Sequence, residues 1–380
     1  MNRTDRILIV GDGIAGSTLA IAAQERGQNV ELVEIQPTWE PVGTGLTLMG
    51  PTLRALHSLG LLDNSVAAGA GLNHFAVGDE GGNTSSVTDL PRLAGDGYPA
   101  SVQLSRPAFH DVLSSAVHAL DIPVRLGATV DEIEDRDDGV SVVFSDGERG
   151  TYRAVVGADG SRSGVRDLIF PDIAGPRSNG QALWRAMVDR PPELGDSFAE
   201  GTMYMLYGPR KKAMVIPTSA DQLYIALTEN GVGDARPETS SLPRLMRDHL
   251  ADFRGFVAIL RDLIVDPSQV VWRKLEVLLV QPTWHRRRSI LIGDAAHTTT
   301  PNLASGAGMA IEDAVVLAEE LTAQDSIDAA FSCFMSRRFE RCRMVVENSA
   351  QLSEWEQNPL PDTDPVALTD ESWRILSQPI

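Results

Sequence analysis

The sequence predicts an α/β fold, a largely parallel sheet flanked by helices into which a mostly antiparallel sheet is inserted. Three observations carry that expectation. Clusters of glycine and aspartate recur at Gly11-Asp12-Gly13-Ile14-Ala15-Gly16, Gly157-Ala158-Asp159-Gly160 and Gly293-Asp294-Ala295-Ala296-His297, each just after a short aliphatic run. Between them, residues 73–97 and 181–280 switch to brief strands broken by turn residues such as Asp79-Glu80-Gly81-Gly82-Asn83. After Asp294 the pattern is helical for most of the remaining chain. Buried strands ending in glycine present backbone N–H groups and a carboxylate at the C-terminal edge of a parallel sheet, where open α/β sheets bind ligands. Three such edges spread over the chain suggest one long cofactor.

The elements follow in order. Ile7–Val10 reads as a strand, 14–24 as a helix stopped by Gly27, and 30–33 as a second strand ending at Glu34. Together they make a βαβ unit, the opening of a Rossmann-like domain. A short helix is expected over 53–61, and helical periodicity returns over 107–120. Strands follow near 124–126, 140–144 and 154–156, with Asp146-Gly147 marking a turn. Residues 183–188, 202–207, 213–216 and 223–228 are strand-like, and a helical piece near 242–264 closes that region. A strand over 289–292 precedes helices over 308–321 and 329–347, and the proline-rich stretch 358–364 reads as irregular. The expected division is a discontinuous cofactor domain over 1–72, 98–180 and 281–325, a second domain over 73–97 and 181–280, and a C-terminal helix and tail over 326–380.

A chain of 380 residues with 43% hydrophobic content has room for two domains with sizeable cores. Its formal charge of −19 argues against nucleic acid as a partner. The one basic run, Arg286-Arg287-Arg288, precedes an apolar strand and reads as a solvated strand entrance. No apolar run approaches the roughly 18 residues of a membrane span, so a cytoplasmic monomer or homodimer is expected. Cys333 and Cys342 are nine positions apart in a helical stretch. At about 100° per residue they lie on opposite faces and form neither a local disulfide nor a redox pair.

In the first cluster Gly11 permits the tight turn, Gly13 lets the backbone approach a pyrophosphate, and Gly16 allows close packing of helix on strand. The helix N-terminus then faces the negative charge. Glu34, 23 residues after Gly11, stands where a carboxylate can accept both ribose hydroxyls and disfavours a 2′-phosphate. The adenosine is therefore that of FAD or NAD. No second fingerprint exists for a separate nicotinamide. Gly43-Thr44-Gly45, Gly69-Ala70-Gly71 and Gly306-Ala307-Gly308 lack the third glycine, having Leu48, His74 and Ile311 in its place.

Two longer motifs extend the pattern: residues 156–166, with Gly157-Ala158-Asp159-Gly160-Ser161-Arg162, and residues 291–301, with Gly293-Asp294-Ala295-Ala296-His297 and Pro301, continuing to Gly306-Ala307-Gly308-Met309. With the first cluster, the chain from about 5 to 345 resembles the class A, single-component flavin-dependent aromatic hydroxylases of the p-hydroxybenzoate hydroxylase type. The resemblance implies FAD as cofactor and NAD(P)H as transient co-substrate. Gly11, Gly13, Ala15, Gly16, Glu34, Ile35, Thr47, Arg106, Val130, Asp159, Gly293, Asp294, Pro301, Gly306, Ala307, Gly308 and Met309 would bind cofactor. Within that set Asp294 would bond the ribityl chain and Val130 would pack near the adenine. Pro301 would sit by the reactive flavin carbon, and Asp159 would also help the nicotinamide. The positive end of the 306–309 helix would stabilise anionic reduced flavin. The family often continues after Thr47 with Pro-Asn, whereas this chain reads Met49-Gly50-Pro51-Thr52.

The implied reaction is hydroxylation of a small aromatic or heteroaromatic substrate by O2, through a flavin C4a-hydroperoxide. A reductase or halogenase of the same fold, and a non-catalytic protein that retains flavin, are the alternatives. Tyr224, Ala226 and Thr228 share one face of an inserted strand and form the candidate substrate wall; Lys212 and Arg185 are candidate contacts for an anionic group. Asp294 and His297 lack further ligands at usable spacing, so no metal site is expected. The purified protein should carry about one FAD per chain, and Asp294→Ala should weaken flavin retention. A variant that keeps full flavin and full activity would disprove the assignment of the third motif.

Overall fold

The computed structural model describes residues 5–39, 43–136, 139–208, 211–233 and 235–380. The three glycine clusters leave neighbouring strands of one six-stranded sheet. Its order is His285–Arg286, Ser289–Leu291, Ala154–Gly157, Ile7–Val10, Val30–Glu34 and Val124–Leu126, parallel except for the first pair. Val10 stands opposite Gly157, and Gly157 opposite Leu291, so the three motifs begin at one level of the same edge. The central strands are buried throughout, as their unbroken aliphatic runs require. The basic run forms the tight turn between the two edge strands, with Arg287 at a positive φ of 52°.

Glycine is needed where the clusters meet. Gly11 has φ +99°, and a Cβ there would lie 2.6 Å from the Ala158 carbonyl oxygen. A Cβ on Gly16 would overlap the carbonyl of Gly11. The first turn is thus pressed against the second motif and against its own helix, Ile14–Glu25.

A seven-stranded sheet forms the second layer, in the order Val270–Val277, Arg177–Asp189, Gln222–Asn230, Lys212–Pro217, Thr202–Tyr207, His74–Asp79 and Thr84–Asp89. All pairs are antiparallel except Thr202–Tyr207 with His74–Asp79. Leu223, Ile225 and Leu227 pack with residues of the Leu242–His249 and Phe256–Asp262 helices, while Tyr224 and Ala226 belong to a separate apolar cluster on the opposite face. The Val270–Val277 strand, the small sheet of Gly45–Leu48, Ser101–Ser105 and Ala70–Leu72, and the Pro365–Leu376 helix in the tail were not foreseen from the sequence. No helix among the described residues is long and apolar enough to cross a membrane.

The Gly306–Ala323 helix packs between Ile14–Glu25 and the 31-residue helix Ile327–Gln357. A buried ionic network joins it to both the third motif and the long helix. Asp313 accepts from the Gly293 N–H (2.9 Å) and lies 2.6 Å from His297 Nε2 through one oxygen, and accepts from Arg338 Nε (2.8 Å) through the other. Arg338 also donates to Glu312 (2.7 Å), which receives Arg341 in turn. Cys342 Sγ lies 3.4 Å from Arg338 Nη2, so two of the three groups in the His297–Asp313–Cys342 cluster already bond a guanidinium cation. Burial opposes charge on Asp313, yet His297 and Arg338 outweigh it and hold its pKa down at about 2. Burial likewise opposes the imidazolium of His297, but Cys342 and Asp313 hold its pKa well above the usual value.

The signs define a pH window. A depressed Asp313 pKa contributes stability in full above about pH 4 and loses it as pH falls toward 2. A raised His297 pKa contributes in full below about pH 6.5 and loses it as pH rises through the folded value. Asp313→Asn leaves buried cations uncompensated and should cost about 3–5 kcal/mol between those limits. Denaturant melts of wild type and variant should show the gap shrinking below about pH 4; a gap independent of pH would contradict the network's ionisation. If the variant does not fold, the acid limb of the wild-type stability curve tests the same point.

Candidate active site

The cofactor track starts at the sheet edge. Glu34 is oriented by accepting from the N–H groups of Gln36 (2.8 Å) and Asp12 (3.2 Å). Ile35 beside it is 60% exposed, an apolar surface open to a flat ring. Gly13 precedes the Ile14–Glu25 helix, and a Cβ there would meet nothing within 4 Å, so space lies open over the helix N-terminus. No acidic residue occupies that first turn, which leaves its N–H groups to an anion.

Val130 is buried in the hydrophobic core that contains the central strands of the six-stranded sheet rather than on a cavity wall. What its segment contributes at the edge is backbone: Ala128 and Gly127 donate to the carbonyls of Glu34 and Gln36. A cavity of about 380 Å³ opens here between Asp12, Gln36, Trp39, Arg106 and His110. Burial and the neighbouring Glu34 push the Asp12 carboxyl up to about 7. Asp12, Trp39 and His110 were not singled out from the sequence. Asp12 occupies a variable fingerprint position, and the other two are brought near by the fold alone.

A larger cavity of about 450 Å³ lies between the third motif and the inserted sheet. Gly13, Ala15, Thr47, Arg106, Asp294, Pro301, Gly306 and Ala307 line the side of the glycine motifs; Arg185, Lys212, Met214, Tyr224, Ala226 and Thr228 line the sheet side. Arg106 borders both cavities and marks their junction. Asp294 faces the opening, yet the protein around it pushes its carboxyl up while His297 and Arg106 pull it down. The Gly306–Ala323 helix has no side-chain cap and no acid in its first turn, so its N-terminal dipole points unneutralised at the cavity. Thr47 Oγ1 donates to Gln103 Oε1, while Gln103 Nε2, Arg185 Nε and Thr300 Oγ1 are buried without partners.

Besides Val130, four expectations need correction. Asp159 does not line the cavity, which is bordered there by Ala158 and Gly160. Its carboxylate accepts from Ser163 Oγ and the Val165 N–H (3.0 Å), so it braces the entry to the Gly164–Ile169 helix. Gly308 faces Thr52, and a Cβ there would overlap the Thr52 hydroxyl; it admits the helix opened by Gly50-Pro51-Thr52. Met309 is buried, and its carbonyl accepts from Arg338. Lys212 lines the cavity, but its ammonium is already paired with Glu356.

The other two candidate substrate contacts are unengaged. Arg185 Nε is buried without a hydrogen-bond partner, and no carboxylate pairs with the guanidinium among the described residues. Burial pushes the Tyr224 phenol up, with Arg185 and Arg106 pulling the other way, so Tyr224 is a neutral donor at ordinary pH. Gln103, Asn302 and Glu356 escaped the sequence reading because nothing local marks them.

The residues present fit FAD. Two uncapped helix N-termini, an oriented carboxylate that could take ribose hydroxyls and orphaned polar atoms lie along neighbouring cavities. The family model for the FAD binding domain matches residues 4–344. A 2-heptyl-3-hydroxy-4(1H)-quinolone synthase of Pseudomonas aeruginosa is 33% identical over 360 residues, covering 92% of this chain and 90% of that one. A 3-amino-4-hydroxybenzoate 2-monooxygenase of Streptomyces cremeus is 30% identical, covering 100% and 94%. Among solved structures, Klebsiella pneumoniae HpxO complexed with FAD and uric acid superposes with a TM-score of 0.84 at 22% identity, over 98% of this chain and 92% of that one. The chain belongs to the FAD-binding family of class A flavin-dependent aromatic hydroxylases, and its cofactor is FAD.

Proposed function

We propose that this FAD-dependent monooxygenase hydroxylates a small, electron-rich aromatic or heteroaromatic ring bearing an acidic or hydroxyl substituent. One observation carries the reading: Arg185 and Tyr224 face the cavity beside the flavin loop with no partner of their own among the described residues. Bound FAD, reduced by NAD(P)H, would activate O2, one atom entering the ring and the other leaving as water. The protein holds the ring against that face and keeps water away. The apolar wall of Met205, Met214, Ala226 and Leu275 provides burial, and methionine adapts to ring shape. Arg185 takes the negative end of the substrate, and the neutral Tyr224 hydroxyl donates to it. Stabilising the deprotonated ring raises its reactivity toward an electrophilic oxygen.

Nicotinamide visits the same opening transiently, since no further glycine cluster completes a dinucleotide fingerprint. A steady NAD(P)H supply and two unpaired cysteines suit the cytoplasm. Phenols, hydroxylated N-heterocycles and quinolones are the rings to screen, by stimulated NAD(P)H oxidation with incorporation of labelled oxygen. Oxidation without incorporation for every ring would favour a reductase instead. For an accepted acidic ring, Arg185→Met should lower kcat/KM by about 10- to 100-fold at unchanged FAD content, the loss expected for a charged hydrogen bond. Tyr224→Phe should lose less, as a neutral donor does. Wild-type rates from both variants on every accepted ring would place the pocket elsewhere.

A further inference from the structure

Glu356 lies in the last turn of the Ile327–Gln357 helix, past residue 344 where the family match ends, yet it reaches the cavity wall. Its Oε1 takes both the Lys212 ammonium, from the inserted sheet, and the Asn302 side-chain amide at 2.7 Å, from the flavin loop beside Pro301. Lys212 and Asn302 both line the cavity, so one carboxylate bridges its two walls. The helix end is fastened in place. Asn230 donates to the Glu356 carbonyl, Gln357 to the Asn179 carbonyl (3.0 Å), and Ser353 is held between Asn179 and Gln181.

We propose that Glu356 is a specificity-determining residue that sets the charge of the substrate cavity by withdrawing Lys212 from it. This rests on the substrate reading above. The Lys212 and Glu356 side chains keep 22% and 28% exposure, and ion pairs this open do little for stability. What the pair changes is the local field. With Lys212 neutralised, Arg185 is the unpaired cation of the sheet-side wall among the described residues, and the cavity suits a ring with a single negative charge. Releasing Lys212 would add a second cation at the same wall and favour more acidic rings. Relatives lacking a carboxylate at the end of this helix would differ in selectivity without any change in the cofactor site.

The probes are salicylate, an anionic ring, and salicylamide, its neutral counterpart. Both are titrated into FAD-loaded protein and followed by the flavin absorbance change, which needs no turnover. Glu356→Gln should raise the salicylate-to-salicylamide affinity ratio by about tenfold, the effect of one freed charged donor. Lys212→Met alone leaves the carboxylate with the Asn302 amide but no cation and should lower the ratio. The double variant should return to the wild-type ratio. A ratio that stays put or falls in Glu356→Gln, a gain that survives in the double variant, or no spectral response to either probe would overturn the proposal. Loss of oxygen insertion on every ring tested would instead overturn the monooxygenase substrate reading, and FAD content measured on each variant separates the two.

Discussion

Asp313 is the carboxylate on which the placement of the flavin site depends. It is wholly buried and holds three groups at once: the Gly293 N–H, the His297 imidazole and the Arg338 guanidinium. Gly293 and Asp294 form the turn that presents a carboxylate to the cavity, and His297 closes it from behind. Arg338 belongs to the long C-terminal helix, so that helix and the turn are fixed relative to each other through one residue. Buried ion pairs rarely add net stability compared with apolar packing, but breaking one is costly. Here that asymmetry serves geometry. A site that must place a ring and a flavin within a fraction of an ångström tolerates no slack in its support.

The second constraint is contact between the motifs themselves. Gly11 turns against the Ala158 carbonyl, and a Cβ on Gly293, at φ +59°, would lie 2.9 Å from the Ala15 Cβ. Each motif therefore forms part of the wall that shapes the next. Register alone brings them to one edge, because Val10, Gly157 and Leu291 are paired neighbours. Helix termini then supply positive ends without committing a charged side chain to the pyrophosphate or the flavin.

Features carried by a few consecutive residues were legible in the sequence. The three clusters, the first βαβ unit and the period-2 face of Tyr224, Ala226 and Thr228 need only local pattern, and the structure puts that face on the cavity. What was hidden depends on pairing across the chain. The Val270–Val277 strand has mixed polar and apolar residues that make sense only beside Arg177–Asp189. Asp159 looked like a ligand-facing acid, but whether an aspartate faces outward or braces its own turn depends on Ser163 and Val165 closing on it. Lys212 read as a free cation because its partner, Glu356, is 144 positions away. Gly308 read as a cofactor contact, although its bareness serves the helix that carries Thr52.

The distribution of charge follows from the same need. A chain with formal charge −19 repels anions at long range, and the pyrophosphate of FAD is an anion. At physiological salt that repulsion is screened beyond roughly 8 Å, so a few well-placed cations can decide the local field. Arg106 stands at the junction of the two cavities, and Arg185 and Arg273 lie close enough to influence it. Two helix N-termini add to them. Against this cluster stands Asp294, while Glu356 cancels the charge of Lys212 so that it adds nothing to the cluster. The cavity therefore gathers cationic groups inside a chain that is acidic as a whole. On the role proposed for Glu356, the number of charges on a bound anion would then matter.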